Sequence, residues 1–164
     1  LRIIGCDFAL SQGDKNDNTI IHYSVSIPKG DKYMTDIRYS EAINGGTSKS
    51  IALRLKQLYY DSNSDYIVMD VAGLGLSVLD ALGEYTYDEE RDVKYPPMCC
   101  FNKDDKRNRC GYKEAIPCIY GIVANEEINN EEVKVIDFTK KKDVKDDKSS
   151  QTTGGVIKKG RIKR

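Results

Sequence analysis

The chain lacks any apolar run approaching the roughly 18–20 residues that a membrane-spanning helix needs, and its longest apolar stretches are interrupted by acids. Net charge is missing as well, since 26 basic residues meet 26 acidic ones. A uniformly basic nucleic-acid binder, which needs clustered cations to neutralise phosphate, is therefore not the simple reading. Histidine is almost absent, His22 being the single one. The cysteines (Cys6, Cys99, Cys100, Cys110 and Cys118) are odd in number and follow neither a disulfide framework nor a zinc spacing. Reduced, partly buried thiols are expected, with a Cys-based zinc site as the weaker alternative. No Gly-x-x-x-x-Gly-Lys-Ser/Thr phosphate loop and no internal repeat occurs. The first residue is Leu1, and no basic segment leading into an apolar one follows it. The expectation is a domain cut from a longer polypeptide, without a signal peptide.

What is present suffices for one core: 164 residues, 39% apolar and 32% charged. The charge is unevenly placed. From Lys140 to Arg164 there are eight Lys and two Arg against three Asp, a balance of +7, so residues 1–139 carry −7. Apolar periodicity also stops near Lys140. Residues 1–139 are expected to form the folded domain and 140–164 a basic, disordered tail. The tail lysines suit the DNA backbone or a merely solvated segment equally well.

Along the chain, Arg2 to Leu10 is an apolar run with an acid near its end. Thr19 to Ile27 is rich in β-branched residues, and Tyr33 to Tyr39 reads as a third strand after Pro28-Lys29-Gly30-Asp31-Lys32. An antiparallel three-strand meander follows from this. Apolar residues at helical spacing from Ser50 to Tyr60 predict a helix, with Thr47 or Ser48 as its cap. Asp65 to Ala72 is nearly continuously apolar, as suits a central strand covered on both faces. Gly73-Leu74-Gly75-Leu76 leads into a short helix over Ser77 to Leu82. Tyr85 to Lys94 reads as an irregular surface excursion, Met98 to Phe101 as a brief strand, Asn102 to Arg109 as charged loop, and Ala115 to Val123 as a further strand. Glu126 to Glu132 is acidic and of helical character. The class is mixed α/β, with Asp7 and Asp70 both at the C-terminal ends of central strands, where open α/β sheets place their sites.

A carboxylate ending an apolar strand is costly unless it binds a cation, finds a hydrogen-bond partner or shifts its pKa. Two on neighbouring strands would repel one another, and a divalent ion removes the repulsion. Mg²⁺ takes oxygen ligands and is commonly held by one or two carboxylates plus a substrate phosphate, an arrangement suited to phosphodiester cleavage. The alternative is that Asp7 caps a turn and Asp70 caps the glycine segment.

Ile3-Ile4-Gly5-Cys6-Asp7-Phe8-Ala9, Asn16-Asp17-Asn18-Thr19-Ile20-Ile21, Ala52-Leu53-Arg54-Leu55-Lys56-Gln57-Leu58-Tyr59-Tyr60-Asp61 and Asp65-Tyr66-Ile67-Val68-Met69-Asp70 with Gly73-Leu74-Gly75-Leu76 occur in that order. Together with the stretch near Cys99 and Ile119-Tyr120-Gly121-Ile122, the set resembles the nuclease domain of tailed-phage large terminase subunits over residues 1–125. The resemblance implies a ribonuclease H-like mixed sheet, an antiparallel meander continued by parallel strands and flanked by helices. It implies a metal-dependent endonuclease that cuts concatemeric viral DNA during packaging, with Mg²⁺ or Mn²⁺. It makes Asp7 the first-strand metal ligand and Asp70 the second acid, shared between ions. The family's third acid lies in a segment like Lys-Asp-Arg-Tyr-Ser-Ser; the nearest match, Lys145-Asp146-Asp147-Lys148-Ser149-Ser150, assigns Asp146 to that role. The chain between Ile122 and that segment is far shorter than the family's. Implied partners are double-stranded DNA, the terminase ATPase domain, the portal and the small terminase subunit, with no membrane, in the host cytoplasm.

Other readings compete. Asn16-Asp17-Asn18 is first turn chemistry and only second a metal site at Asp17. Gly73-Leu74-Gly75-Leu76 lacks the third glycine and the βαβ context of a dinucleotide fingerprint; its glycines are expected to permit a tight turn beside Asp70. His22 reads as a strand histidine rather than a general base. A catalytically inactive terminase remnant, serving as a DNA-binding or assembly module, is the alternative function. A sugar-kinase or actin-like ATPase half ranks last, since Ser11-Gln12-Gly13-Asp14 is a poor phosphate hairpin.

Overall fold

β-branched and apolar residues in the first quarter of the chain build an antiparallel meander of β1 (Arg2–Asp7), β2 (Thr19–Lys29) and β3 (Lys32–Ile43). The β2–β3 link is a tight hairpin, and Gly30 adopts the positive φ (66°) that such a turn demands. Both strands run longer than the sequence pattern predicts. Pairing in register from Thr19↔Ile43 to Lys29↔Lys32 keeps polar residues in the ladder that a periodicity argument leaves out. The structure, a computed structural model, describes residues 1–9 and 18–123.

Next comes α1 (Ser48–Asp61), started by a capping box. The Ser50 amide donates to Thr47 Oγ1 at 3.1 Å and the Thr47 amide to Ser50 Oγ at 2.9 Å, so two orphan donors are satisfied reciprocally. β4 (Tyr66–Asp70) then leads into α2 (Gly73–Leu82). The remaining elements are β5 (Thr86–Asp88), β6 (Val93–Tyr95), β7 (Met98–Cys100), α3 (Asp104–Arg107) and β8 (Ile116–Ile122).

Among the described residues six strands form one mixed sheet in the order β3-β2-β1-β4-β8-β7, with β1, β4, β8 and β7 mutually parallel. Ile4, Ile67 and Ile119 lie side by side in register, and Cys6 and Met69 follow one pleat further on. These residues share a face with Ile21. They bury against Ile51, Leu55 and Leu58 of α1 and Val78, Leu79 and Leu82 of α2 in a single core. Both long helices thus cover the same side of the sheet. Full burial of each such aliphatic side chain stabilises the fold by about 1.5–3 kcal/mol. Among the described residues no helix is long and apolar enough to cross a membrane.

Three segments depart from expectation. Tyr85 to Lys94 is not irregular: β5 and β6 pair as a hairpin, Thr86↔Tyr95 to Asp88↔Val93. The charged stretch after Asn102 contains the single turn of α3, and the second long helix begins at Gly73 rather than Ser77. The hairpin exists because buried polar groups of α1 hold it. Lys56 is fully buried, and its ammonium donates to the carbonyls of Glu84 (2.5 Å) and Pro96 (3.0 Å) and to Thr86 Oγ1 (3.0 Å). Beside it, Gln57 Nε2 donates to the buried Asp88 carboxylate at 2.7 Å. Three ammonium donors thus meet three acceptors, which is how a lysine survives without a carboxylate partner.

Lys56→Met is expected to lower stability by about 2–4 kcal/mol, because the oxygens of Glu84, Thr86 and Pro96 all lose their donor; urea unfolding measures it. The pH dependence of stability follows from opposed groups. Burial pushes Lys56 down to about 8 from an ordinary 10.5, so between those values the unfolded chain binds a proton that the folded chain does not, and stability rises with pH. Burial pushes the Cys6 thiol up, with the Asp7 carboxylate a lesser cause, and pushes Cys118 up to about 12 from an ordinary 9.0. Above pH 9 the unfolded chain loses two protons that the folded chain keeps. The thiols outnumber the lysine there, so urea midpoints should rise slightly from pH 8 to 9 and fall beyond. Cys6→Ala combined with Cys118→Ala should delay the fall to above pH 10, where burial still pushes the Tyr59 hydroxyl up from an ordinary 10.0.

Candidate metal centre at the strand ends

Asp7 and Asp70 are brought together by strand register. β1 and β4 pair in parallel from Ile3↔Tyr66 to Cys6↔Met69, and the two aspartates are the next residue on each strand. Their strands lie about 4.8 Å apart. Because side chains alternate, and Cys6 and Met69 face the helices, Asp7 and Asp70 emerge on the opposite face. That face continues through Ile3 and Gly5 on β1, Val68 on β4, Tyr120 and Ile122 on β8, and Ile20 and His22 on β2.

The two acids are held differently. Asp7 is exposed and ends its strand opposite Ile20. Asp70 is half-buried, and its Oδ1 accepts the Ala72 amide at 2.8 Å. Gly73, with φ at 51°, then turns the chain into α2, whose N-terminal end places partial positive charge beside this carboxylate. Close approach of helix and strand is built in by Gly75, where a Cβ would stand 1.8 Å from the Asp70 carbonyl oxygen. The glycines expected to form a tight turn are thus the first turn of α2. That geometry also argues against a dinucleotide loop, since the amide nearest the strand end is already committed to Asp70.

None of the ion pairs among the described residues involves Asp7 or Asp70. The arginines go elsewhere: Arg109 grips Asp80 through two 2.6 Å bonds, Arg54 holds Glu41 at 2.8 Å, and Arg91 holds Asp61 at 2.8 Å. Two neighbouring carboxylates, neither paired with a cation among the described residues, form a hard oxygen donor set that suits Mg²⁺ or Mn²⁺. Among the described residues no three His, Cys, Asp or Glu side chains gather as a ready-made metal cluster.

Asp146, Asp17, the Ser11 to Asp14 segment and the Lys140 to Arg164 tail, with the domain boundary expected at 139, lie outside the described residues. His22 is exposed, opposite Gly5 on the face of Asp7. All five cysteines are free and dispersed over β1, β7, β8 and the segment before β8, so the zinc alternative is not assembled. An aromatic cluster on the face of Asp70 went unread: Phe101 packs against Tyr66 at 5.3 Å and Tyr120 at 5.8 Å between ring centres. Each residue looks like ordinary strand composition, and only the β4–β8–β7 pairing groups them.

Like charges on adjacent strand ends oppose one another in the metal-free protein. Asp7→Asn should therefore raise Tm by about 1–3 °C in low-salt buffer containing a chelator, and the gain should shrink in high salt. Added Mn²⁺ should raise the Tm of the native sequence and leave that of Asp7→Asn nearly unchanged, as differential scanning fluorimetry would show. The chain matches no protein-family model, no curated protein and no solved structure.

Proposed function

We propose that this chain is a ribonuclease H-like, divalent-metal-dependent DNA endonuclease of the phage large-terminase type. One observation carries the reading: two carboxylates adjacent in register end parallel strands on the face opposite the helices, without a cationic partner among the described residues. The sheet supports it further. An antiparallel meander β3-β2-β1 continued by parallel β4 and β8, with α1 before β4 and α2 after it, is the arrangement such a domain calls for.

Asp7 and Asp70 would hold the ion, with Asp146 the third carboxylate by resemblance. When bound, Mg²⁺ or Mn²⁺ supplies Lewis-acid polarisation of a phosphodiester and neutralises the charge developing on it. The protein's own contribution is orientation. The Ala72 amide fixes Oδ1 of Asp70, while the exposed Asp7 supplies a carboxylate open to solvent. Double-stranded DNA is the proposed substrate. The ATPase domain, portal and small terminase subunit are the proposed partners, and the host cytoplasm the proposed location.

Asp70→Asn is the decisive substitution, since the amide oxygen can still accept the Ala72 amide while the charge is lost. Mn²⁺-dependent nicking of supercoiled plasmid should fall by about two orders of magnitude or more with Tm preserved. Unchanged nicking removes Asp70 from the chemistry. A native chain that binds duplex DNA yet never nicks it points to the inactive assembly module instead.

A further inference from the structure

β1 pairs with β2 from Arg2↔Val25 to Asp7↔Ile20, and the Ser26 amide donates to the Leu1 carbonyl at 2.7 Å. β2 and β3 stay paired through Ile27↔Met34 to the turn, and among the described residues β3 is an edge strand of the sheet. This hairpin exposes Ile27 and Met34 (50%) on one face and Tyr33 and Ile37 (63%) on the other. Grouped apolar residues on an edge strand mark a contact surface.

From these features we infer that β3 pairs with β3 of a second copy of this chain, antiparallel about a two-fold axis at Met34. A two-fold contact must be self-complementary, and this register meets the requirement. Met34 lies against its own counterpart, with Ile27 beside it on the same face. Tyr33 faces Thr35, and Lys32 faces Asp36, each twice by symmetry. Shifting the axis by one residue, to Thr35, would set Lys32 against Arg38 and lose the charge match.

Two further details favour the arrangement. Within one chain Lys29 lies opposite Lys32 at the hairpin end, a like-charge pair that an incoming Asp36 would relieve. The β2–β3 register also shifts between Tyr23 and Ser24, which leaves Arg38 as an extra residue on β3. Such a bulge bends the edge and ends regular pairing there, limiting the contact to the segment before it. Asp36 is already paired with Arg38 at 2.9 Å, but both side chains are about half exposed, and such a surface pair is readily exchanged.

Sedimentation velocity on the full chain over a range of micromolar concentrations tests the inference. The native sequence should form a dimer. Asp36→Lys should weaken it at least about tenfold without lowering Tm, and the exchange Lys32→Asp with Asp36→Lys should restore it. Met34→Cys supplies a second readout: mild oxidation should link two chains through this position far faster than it links the native sequence. A native chain that stays monomeric overturns the proposal. So does a dimer as tight in Asp36→Lys as in the native sequence, a charge exchange that restores nothing, or a Met34→Cys chain that links no faster than the native one.

Discussion

Parallel pairing of β1 with β4 is the constraint on which the rest of the molecule depends. It seats Ile4 beside Ile67 and Cys6 beside Met69, so the central row of the core and the row of acids are consequences of the same register. A slip of one residue would turn every side chain of one strand to the other face. Asp70 would then enter the core while Met69 faced solvent, at the cost of an unpaired buried charge. The burial of one face therefore enforces the convergence of carboxylates on the other. Stability and candidate chemistry are tied through the pleat, without any direct contact between them.

The second fixed point is Lys56. Most of the core is aliphatic and would tolerate some repacking, but an ammonium bonded to Glu84, Thr86 and Pro96 permits one position of the β5–β6 hairpin relative to α1. Gln57 and Asp88 repeat the restriction one residue along. The hairpin buries Tyr95, which stacks on Tyr60 of α1 at 5.3 Å between ring centres. Polar satisfaction fixes it further, since the buried Lys56 ammonium must find acceptors and the buried Asp88 carboxylate a donor. The contrast with the open end of β3 is physical as well. There, among the described residues, no buried polar group holds the ribbon, and apolar side chains face solvent.

Much of this was legible beforehand. Thr47 was readable as a cap because capping chemistry is local, and the three opening strands were readable because β-branched runs punctuated by glycine have few other solutions. The succession of meander, helix, strand, helix and strand agrees with the structure for the same reason. The β5–β6 hairpin was not legible, because its partners on α1 are distant in the chain and Lys56 looks like any solvated lysine of an amphipathic helix. The start of α2 was misjudged because glycines usually interrupt helices. Here Gly73 supplies a positive φ and Gly75 permits contact with the Asp70 carbonyl, so tertiary packing outweighs their low propensity.

By itself the amino-acid order located the opening meander, α1, β4, β7 and β8, and showed that Asp7 and Asp70 would each close an apolar strand. Those are properties of short stretches, governed by periodicity and backbone preference. Tertiary structure decided that the two strands lie side by side and in parallel, that the aspartates leave by the face opposite the helices, and that Tyr66, Phe101 and Tyr120 gather there. Such neighbours depend on long-range pairing. Its free energy comes from burying a common core and not from any one segment, so no single stretch of sequence carries the information.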